Sequence, residues 1–571
     1  MTKKTIENNN NKPEDENLLQ ETSELTSALN PMLGVDSKSM MTSWMDTLSM
    51  AAKSPSSVID FNMSLGTKMM DIMTKKTVFE PSKKDKRFKD ESWQSVPTYN
   101  YLMQSYLALQ ESLEEWSQDD SFSDEEKRKA KYLFSMFSDT IAPTNTLMGN
   151  PAALKEMINT KGASLLNGFN HFIEDLKNNN GLPSQVDKSQ FEVGVNLAIT
   201  PGKVIFKNEL LELIQYTPQT DKVYSVPFLI IPPQINKFYV YDLTKEKSFT
   251  NYCVNAGFQT LMISWRNAQK EQSHFSLSNY IEALVEALDV IKEVSGKDKI
   301  NIMGACSGGI TASVLTSYLE QQGNHRVNTL ALSVCSLSQH KEDSEMSMFV
   351  DDNHLDDVKT KSKEEGLLKG SELSKVFSWM RPNDLIWNYV VNNYLMGKKP
   401  PAFDILYWNS DTTNLPSALH CDYIDLVSGQ LFEKPEGFLI NGVKIDFKTS
   451  TCDKYILAGV TDHITPWKAC YRTTDILGGD KQFVLTSSGH IQSLVNPPGN
   501  PKASYFVNKT IPKSSDDWLK TAEKQSGTWW EHWSAWLSKN SGNKKNAPKL
   551  LGSKNNKPLC DAPGQYVHQP S

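Results

Sequence analysis

Three residues carry the chemistry that this sequence could perform: Cys306, Asp462 and His490, in that order along the chain. Cys306 lies in Gly304-Ala305-Cys306-Ser307-Gly308-Gly309, entered from the apolar run Ile300-Asn301-Ile302-Met303 and left through the helix-forming stretch Ile310 to Leu319. A strand that breaks into a glycine-flanked turn and then a helix is the setting of a nucleophile elbow, where close backbone approach excludes larger flanking residues. Here the apex is sulfur. A Gly-x-Cys-x-Gly match is rare by chance with 7 Cys and 29 Gly among 571 residues, so Cys306 reads as a nucleophile rather than as buried core. Asp462 follows the strand-like run Lys454 to Val460, and His490 follows Gln482 to Thr486 within Ser487-Ser488-Gly489-His490. A histidine that takes the thiol proton, held by a carboxylate, would leave a thiolate able to attack an acyl group. His463 competes as base, but it adjoins Asp462 on one loop and is badly placed to reach from the acid to the elbow. Taken singly, Asp462 could cap a helix near Pro466 and His490 could be a hydrogen-bonded core histidine; together, in this order, they read as a triad.

The remaining parts of such a site are backbone. The N–H of Ser307 and that of Gln234 or Ile235 are the expected oxyanion donors, since Pro232 and Pro233 have no N–H to offer. A sulfur nucleophile suits a thioester substrate: exchange of one thioester for another is nearly thermoneutral, so the acyl group stays activated for transfer to a further acceptor.

These residues require a sheet to hold them, and the pattern supplies one. From Phe191 onward short β-rich runs appear, and beyond them apolar strands alternate with helices: Thr260 to Ser264, helix Leu277 to Val294, strand Lys299 to Met303, the elbow helix, and strand Thr329 to Val334. That alternation predicts a parallel sheet covered by helices on both faces. Between Ser336 and Thr451 lies an insertion too long for a loop and rich in aromatics, among them Trp379, Trp387, Tyr389, Tyr394, Tyr407 and Trp408; it reads as a cap. The order nucleophile, acid, histidine with a cap after the first of them predicts the α/β-hydrolase fold. The expected division is a disordered tail at 1–30, a helical N-terminal domain at 31–188, a catalytic domain at 189–540 with the cap at about 336–451, and a polar tail at 541–571. Within the helical part, Tyr99, Leu102, Met103, Tyr106, Leu113 and Trp116 share one face, Ser123-x-x-Glu126 is a capping box, and Met40, Met41, Trp44, Met45 and Leu48 form a loose stripe read as packing on its own domain.

Composition narrows the function classes. A net charge of −7 gives no broad basic surface for nucleic acid. No run of 18 apolar residues and no apolar leader appears, which predicts a cytoplasmic protein without a transmembrane segment. Seven scattered cysteines without a Cys-x-x-Cys pair fit neither a disulfide framework nor a zinc site, and no cofactor or metal is expected.

The chain resembles the single-subunit polyhydroxyalkanoate synthases of the class I/II type. The resemblance covers roughly residues 90–540 and is carried by Thr200-Pro201-Gly202, Pro232-Pro233-Gln234-Ile235-Asn236-Lys237-Phe238-Tyr239, Ser264-Trp265-Arg266-Asn267, the elbow and Asn383-Asp384-Leu385-Ile386-Trp387-Asn388-Tyr389. It continues through Phe403-Asp404-Ile405-Leu406-Tyr407-Trp408-Asn409, Asp462-His463-Ile464-Thr465-Pro466-Trp467, Gly489-His490 and Asn496-Pro497-Pro498. The resemblance implies polymerisation of (R)-3-hydroxyacyl-CoA into polyester with release of CoA. It assigns Cys306 to hold the growing chain, His490 to activate it, and Asp462 to help activate the 3-hydroxyl of the incoming monomer. It further implies attachment to polyester granules in the cytoplasm, dimerisation, and a cap that opens and closes. Ala305 and the run Ser378 to Asn383 look closer to the medium-chain-length enzymes.

Two rival readings keep the same residues. A thioesterase or esterase with this triad would release free hydroxy acid, and a granule-associated protein that retained the fold would not turn over at all. Trp529, Trp530, Trp533 and Trp536 recur at helical spacing and read either as polymer anchors or as core or dimer packing, while Arg266 reads as a CoA-phosphate contact or, more commonly for such an arginine, a salt bridge.

Overall fold

The computed structural model describes residues 55–570 apart from 84, 180, 339, 341–351, 373–381 and 435–436. The segment 1–30, the Met40 to Leu48 stripe, Trp379 and the start of the Ser378 to Asn383 run lie outside the described residues.

The strands of the main sheet are, in chain order, β1 (Gly202–Lys207), β2 (Leu211–Tyr216), β3 (Phe228–Ile231), β4 (Thr260–Trp265), β5 (Ile300–Ala305) and β6 (Val327–Ser333). They continue with β7 (Asp453–Gly459), β8 (Lys481–Thr486), β9 (Ser504–Val507), β10 (Glu523–Ser526) and β11 (Cys560–Asp561). Their spatial order is β10-β9-β8-β7-β6-β5-β3-β4-β2-β1-β11. The six strands β4, β3, β5, β6, β7 and β8 run parallel. β5, entirely buried, lies at the centre, as a near-continuous apolar run must when helices cover both faces. This is the α/β-hydrolase fold. The sheet is mixed rather than wholly parallel, because β1 and β2 are joined by only Asn208 to Leu210 and a connection that short can only reverse the chain. Asn208 Oδ1 accepts from the Leu210 and Leu211 N–H groups at 3.0 and 2.9 Å, fixing that reversal.

Two apolar layers sandwich the sheet. On one side the amphipathic helix Leu277–Ser295 and the elbow helix Ser307–Gln321 bury Ile281, Leu284, Leu288, Val314 and Leu315 against Ile302 and Leu330. On the other, Phe249 lies against Trp529, Trp530 and Trp533, with ring centroids 5.0 to 5.6 Å apart. These three tryptophans, at most 1% exposed, are core.

The helical region before the sheet has a small core of its own. Trp116, on the helix Pro97–Ser117, stacks between Phe61 and Phe134 at 4.9 and 4.8 Å, and the Ser123/Glu126 capping box begins the helix Asp124–Thr140. The helix Ala163–Asn178 packs on the cap: a side chain at Gly168 would strike the Tyr394 carbonyl, and Phe172 meets Tyr394 edge to face at 5.4 Å.

Residues 541–571 were expected as a separate polar tail, and the described part is instead folded onto the catalytic domain. Lys544–Asn546 pairs with Lys222–Tyr224, β11 pairs with β1, and buried Tyr566 and Val567 pack against the body. The segment's low hydrophobicity hid this, because it is held largely by backbone hydrogen bonds to the sheet edge.

Candidate active site

The elbow is built by backbone crowding. Cys306 has φ 49° and ψ −124°, a conformation costly for a residue with a Cβ and the one that lifts its side chain clear of the strand. Its N–H donates to the Ser333 carbonyl at 3.1 Å on β6, while its own carbonyl accepts from Gly309 and Ile310 at 2.9 and 3.2 Å. A Cβ at Gly304 would stand 2.5 Å from the Gly308 carbonyl oxygen, and one at Gly308 would stand 2.4 Å from that of Ile231 and 2.5 Å from that of Pro232. Gly308→Ala is therefore expected to push the elbow helix away from the end of β3, lowering stability by about 1–3 kcal/mol, the usual cost of overpacking. A urea-unfolding midpoint equal to wild type would contradict this.

Asp462 and His490 meet at the ends of β7 and β8. His490 Nδ1 donates to Asp462 Oδ2 at 2.7 Å, with both side chains almost completely buried. Asp462 Oδ1 accepts from the backbone N–H groups of Ile464 and Thr465 at 2.9 and 3.0 Å, and Oδ2 also accepts from the Thr465 hydroxyl at 2.8 Å. With the histidine, these fill the roughly four acceptor positions of a carboxylate. Cys306 lies within electrostatic reach of the His490 ring. Burial alone would pull the imidazole's proton affinity down, but Asp462 and the Cys306 contact overcome it and push the pKa up to about 10. His463, the rival base, has its residue exposed on the same loop.

The histidine is held from beneath. It opens the short helix His490–Leu494, and the indole N–H groups of Trp529 and Trp530 donate to the Ser493 and Leu494 carbonyls at 2.6 and 3.2 Å. A five-residue helix leaves its last carbonyls without partners of their own, and these indoles supply them.

Ser307 is the first residue of the elbow helix, so its N–H belongs to the unpaired N-terminal set. Gln234 lies opposite, and its N–H donates to Ser307 Oγ at 3.2 Å. Ile235 is half-buried next to it. This loop is pinned by the cap, a connection that no sequence pattern disclosed. Thr413 Oγ1 donates to the Gln234 carbonyl at 2.6 Å, its N–H donates to the Ile235 carbonyl at 3.3 Å, and Tyr423 donates to Gln234 Oε1 at 3.0 Å. Trp408, expected only as a cap aromatic, donates to the Lys237 carbonyl at 2.7 Å. Thr465, adjacent to Asp462, was also missed, although an Asp followed three residues later by a Thr is a recognisable local turn pattern. Among the described residues Arg266 forms no salt bridge; its guanidinium lies 5.8 Å from the Tyr566 ring centroid and 3.5 Å from the Glu209 carbonyl oxygen. Among the described residues no helix is long and apolar enough to cross a membrane.

Comparison with known proteins bears on all of this. Residues 84–253 match the family described as poly-beta-hydroxybutyrate polymerase (PhaC) N-terminus, and residues 235–497 match the alpha/beta hydrolase fold. The chain is 43% identical over 559 residues to poly(3-hydroxyalkanoate) polymerase 1 of Ectopseudomonas oleovorans, covering 98% of this chain and 100% of that one. It is 42% identical to polymerase 2 of the same organism, covering 94% and 96%, and 37% identical to the polymerase subunit PhaC of Cupriavidus necator, covering 85% and 83%. The elbow, the sheet and near full-length identity converge, and the chain belongs to the poly(3-hydroxyalkanoate) polymerase family of acyltransferase enzymes.

Proposed function

We propose that this enzyme polymerises (R)-3-hydroxyacyl-CoA into polyhydroxyalkanoate through a thioester on Cys306, releasing CoA. The observation that supports it most is the buried His490–Asp462 pair at 2.7 Å, within electrostatic reach of Cys306 at the apex of the elbow. His490 takes the thiol proton; the thiolate attacks the thioester carbonyl; the oxyanion is received by the Ser307 N–H and that of Ile235, the Gln234 N–H being engaged by Ser307 Oγ; and CoA leaves as its thiol, taking the proton from His490. The 3-hydroxyl of the next monomer, giving its proton to His490, then attacks the Cys306 acyl group and expels Cys306, which recovers that proton as the thiol; the chain, one unit longer and now on CoA, returns to Cys306 by the same thioester exchange, which releases CoA. Asp462, with its acceptor positions filled within the fold, serves in this reading by orienting His490 and stabilising its charged form. In this reading an insoluble product places the enzyme at the polyester granule surface, with the homodimer and the cytoplasm following only from the family resemblance.

Hydrolysis by the same triad is the competing reading, and product analysis separates the two. With 3-hydroxybutyryl-CoA or 3-hydroxydecanoyl-CoA, insoluble polyester is expected, with the longer monomer preferred across a C4 to C12 panel. Soluble hydroxy acid as the sole product would overturn the polymerase reading.

A further inference from the structure

We propose that residues 565–570 are a positioning strap for the oxyanion loop, acting through Lys237 and Asn267. The inference rests on the thiolate mechanism above and concerns parts of the molecule outside the triad.

The strap is anchored at the sheet edge. Glu212, on β2 and fully buried, accepts through Oε2 from the N–H groups of Gln565 and Tyr566, both at 2.9 Å. Gly564 (φ 86°) passes so close that a Cβ there would stand 2.5 Å from the same oxygen. The Tyr566 hydroxyl donates to the Asn208 carbonyl at 2.6 Å, and Lys207 lies 4.4 Å from the Tyr566 ring centroid. Such contacts fix the segment's course independently of the site.

From this anchor the segment reaches the loop by two routes. Directly, the Gln569 carbonyl accepts from Lys237 Nζ at 2.5 Å; Lys237 is 3% exposed and stands two residues beyond Ile235. Indirectly, Gln569 Oε1 accepts from the Asn267 N–H at 3.2 Å, and the Pro570 carbonyl accepts from Asn267 Nδ2. Asn267 Oδ1 then accepts from the Asn414 N–H at 2.9 Å, and the adjacent Thr413 holds the Gln234 and Ile235 carbonyls. A buried ammonium and a buried carboxamide thus spend their hydrogen bonds on backbone carbonyls of a segment more than 300 residues away. Both lead to the same two peptide units. Oxyanion donors are effective only when held in place beforehand, and a displacement near 1 Å can cost about 10²-fold in rate.

The test is a double-mutant cycle on the purified full chain, reading CoA release in the first turnover together with kcat and KM. Removal of residues 565–571 and Lys237→Met are each expected to slow the first turnover by about 10- to 100-fold with KM changed less than about threefold. The doubly altered protein should be no slower than the shortened one, which has already lost the Gln569 carbonyl that Lys237 reaches. Unchanged first-turnover rates, additive losses, or losses confined to KM would each overturn the strap. If the shortened chain does not fold, Lys237→Met and Asn267→Ala, which cut the two routes separately, should each lower kcat with KM little changed and together lower it further; unchanged kcat in both, or losses confined to KM, would overturn the strap. Cys306→Ala run alongside keeps the two readings apart, because CoA release by that variant would remove the thiolate mechanism itself.

Discussion

Cys306→Ala is expected to reduce polymer formation and first-turnover CoA release by about 10⁶-fold, the scale of loss when the nucleophile of a triad is deleted. The expectation depends on the elbow having no substitute. Cys335 and Cys470 are fully buried, and burial pushes both thiols well up, away from thiolate character. Cys306 alone of these combines partial exposure with a place at the apex of the elbow within electrostatic reach of His490. Cys306→Ser should keep the fold and still be badly impaired: an alcohol is the weaker nucleophile, and the oxygen ester it forms has lost the activation that the next monomer's hydroxyl requires. Two measurements check this, CoA release within one turnover and a circular dichroism spectrum matching wild type. Near-normal polymerisation by the serine variant would contradict the thioester argument.

Asp462→Asn is expected to lower kcat by about 10³- to 10⁴-fold, because an amide in this place can donate to the imidazole and favours the wrong tautomer. The loss should appear already in the first acylation. If Asp462 acted only on the incoming hydroxyl, the first CoA would be released at the normal rate and elongation alone would suffer, so single-turnover kinetics decides between the roles. A second consequence concerns pH. A histidine whose folded pKa is raised from 6.5 to about 10 contributes stability that is fully present below 6.5 and is lost as pH rises toward 10. Thermal midpoints of the wild type should therefore fall over that window more steeply than those of Asp462→Asn, which lacks the carboxylate that raises the pKa. Parallel curves would sink the assignment of Asp462 as the cause.

Much of this was legible in the sequence because it is local. The elbow announces itself through Gly304 and Gly308, whose Cβ atoms would meet backbone oxygens within 2.5 Å, and the central strands through buried runs such as Ile300 to Met303. The mixed character of the sheet and the docking of residues 541–570 were not legible, since antiparallel edge pairing and backbone-mediated contacts leave little hydrophobic signature. Nor could spacing reveal that Thr413 and Tyr423 would fasten Gln234. Long-range side-chain to backbone hydrogen bonds carry no period. The C-terminal tryptophans illustrate the reverse: their helical spacing was plain, and only burial against Phe249 and the Ser493 and Leu494 carbonyls distinguished core from anchor.

The division of labour between cap and body decides which parts of the site a loosened cap can reach. Cys306, His490 and Asp462 are all fastened at β-strand ends, and the short helix of His490 also to the helix Trp529–Lys539 beneath it. The loop carrying Gln234 and Ile235 is instead fastened to residues 408–423 of the cap. Tyr423 also shares a hydrogen bond with Thr311 of the elbow helix at 3.0 Å, so the cap grips the oxyanion loop and the elbow helix together, while the His490–Asp462 pair is held by the body alone. Loosening the cap at Thr413 or Tyr423 would therefore disturb the loop that carries Gln234 and Ile235 and leave the His490–Asp462 pair in place.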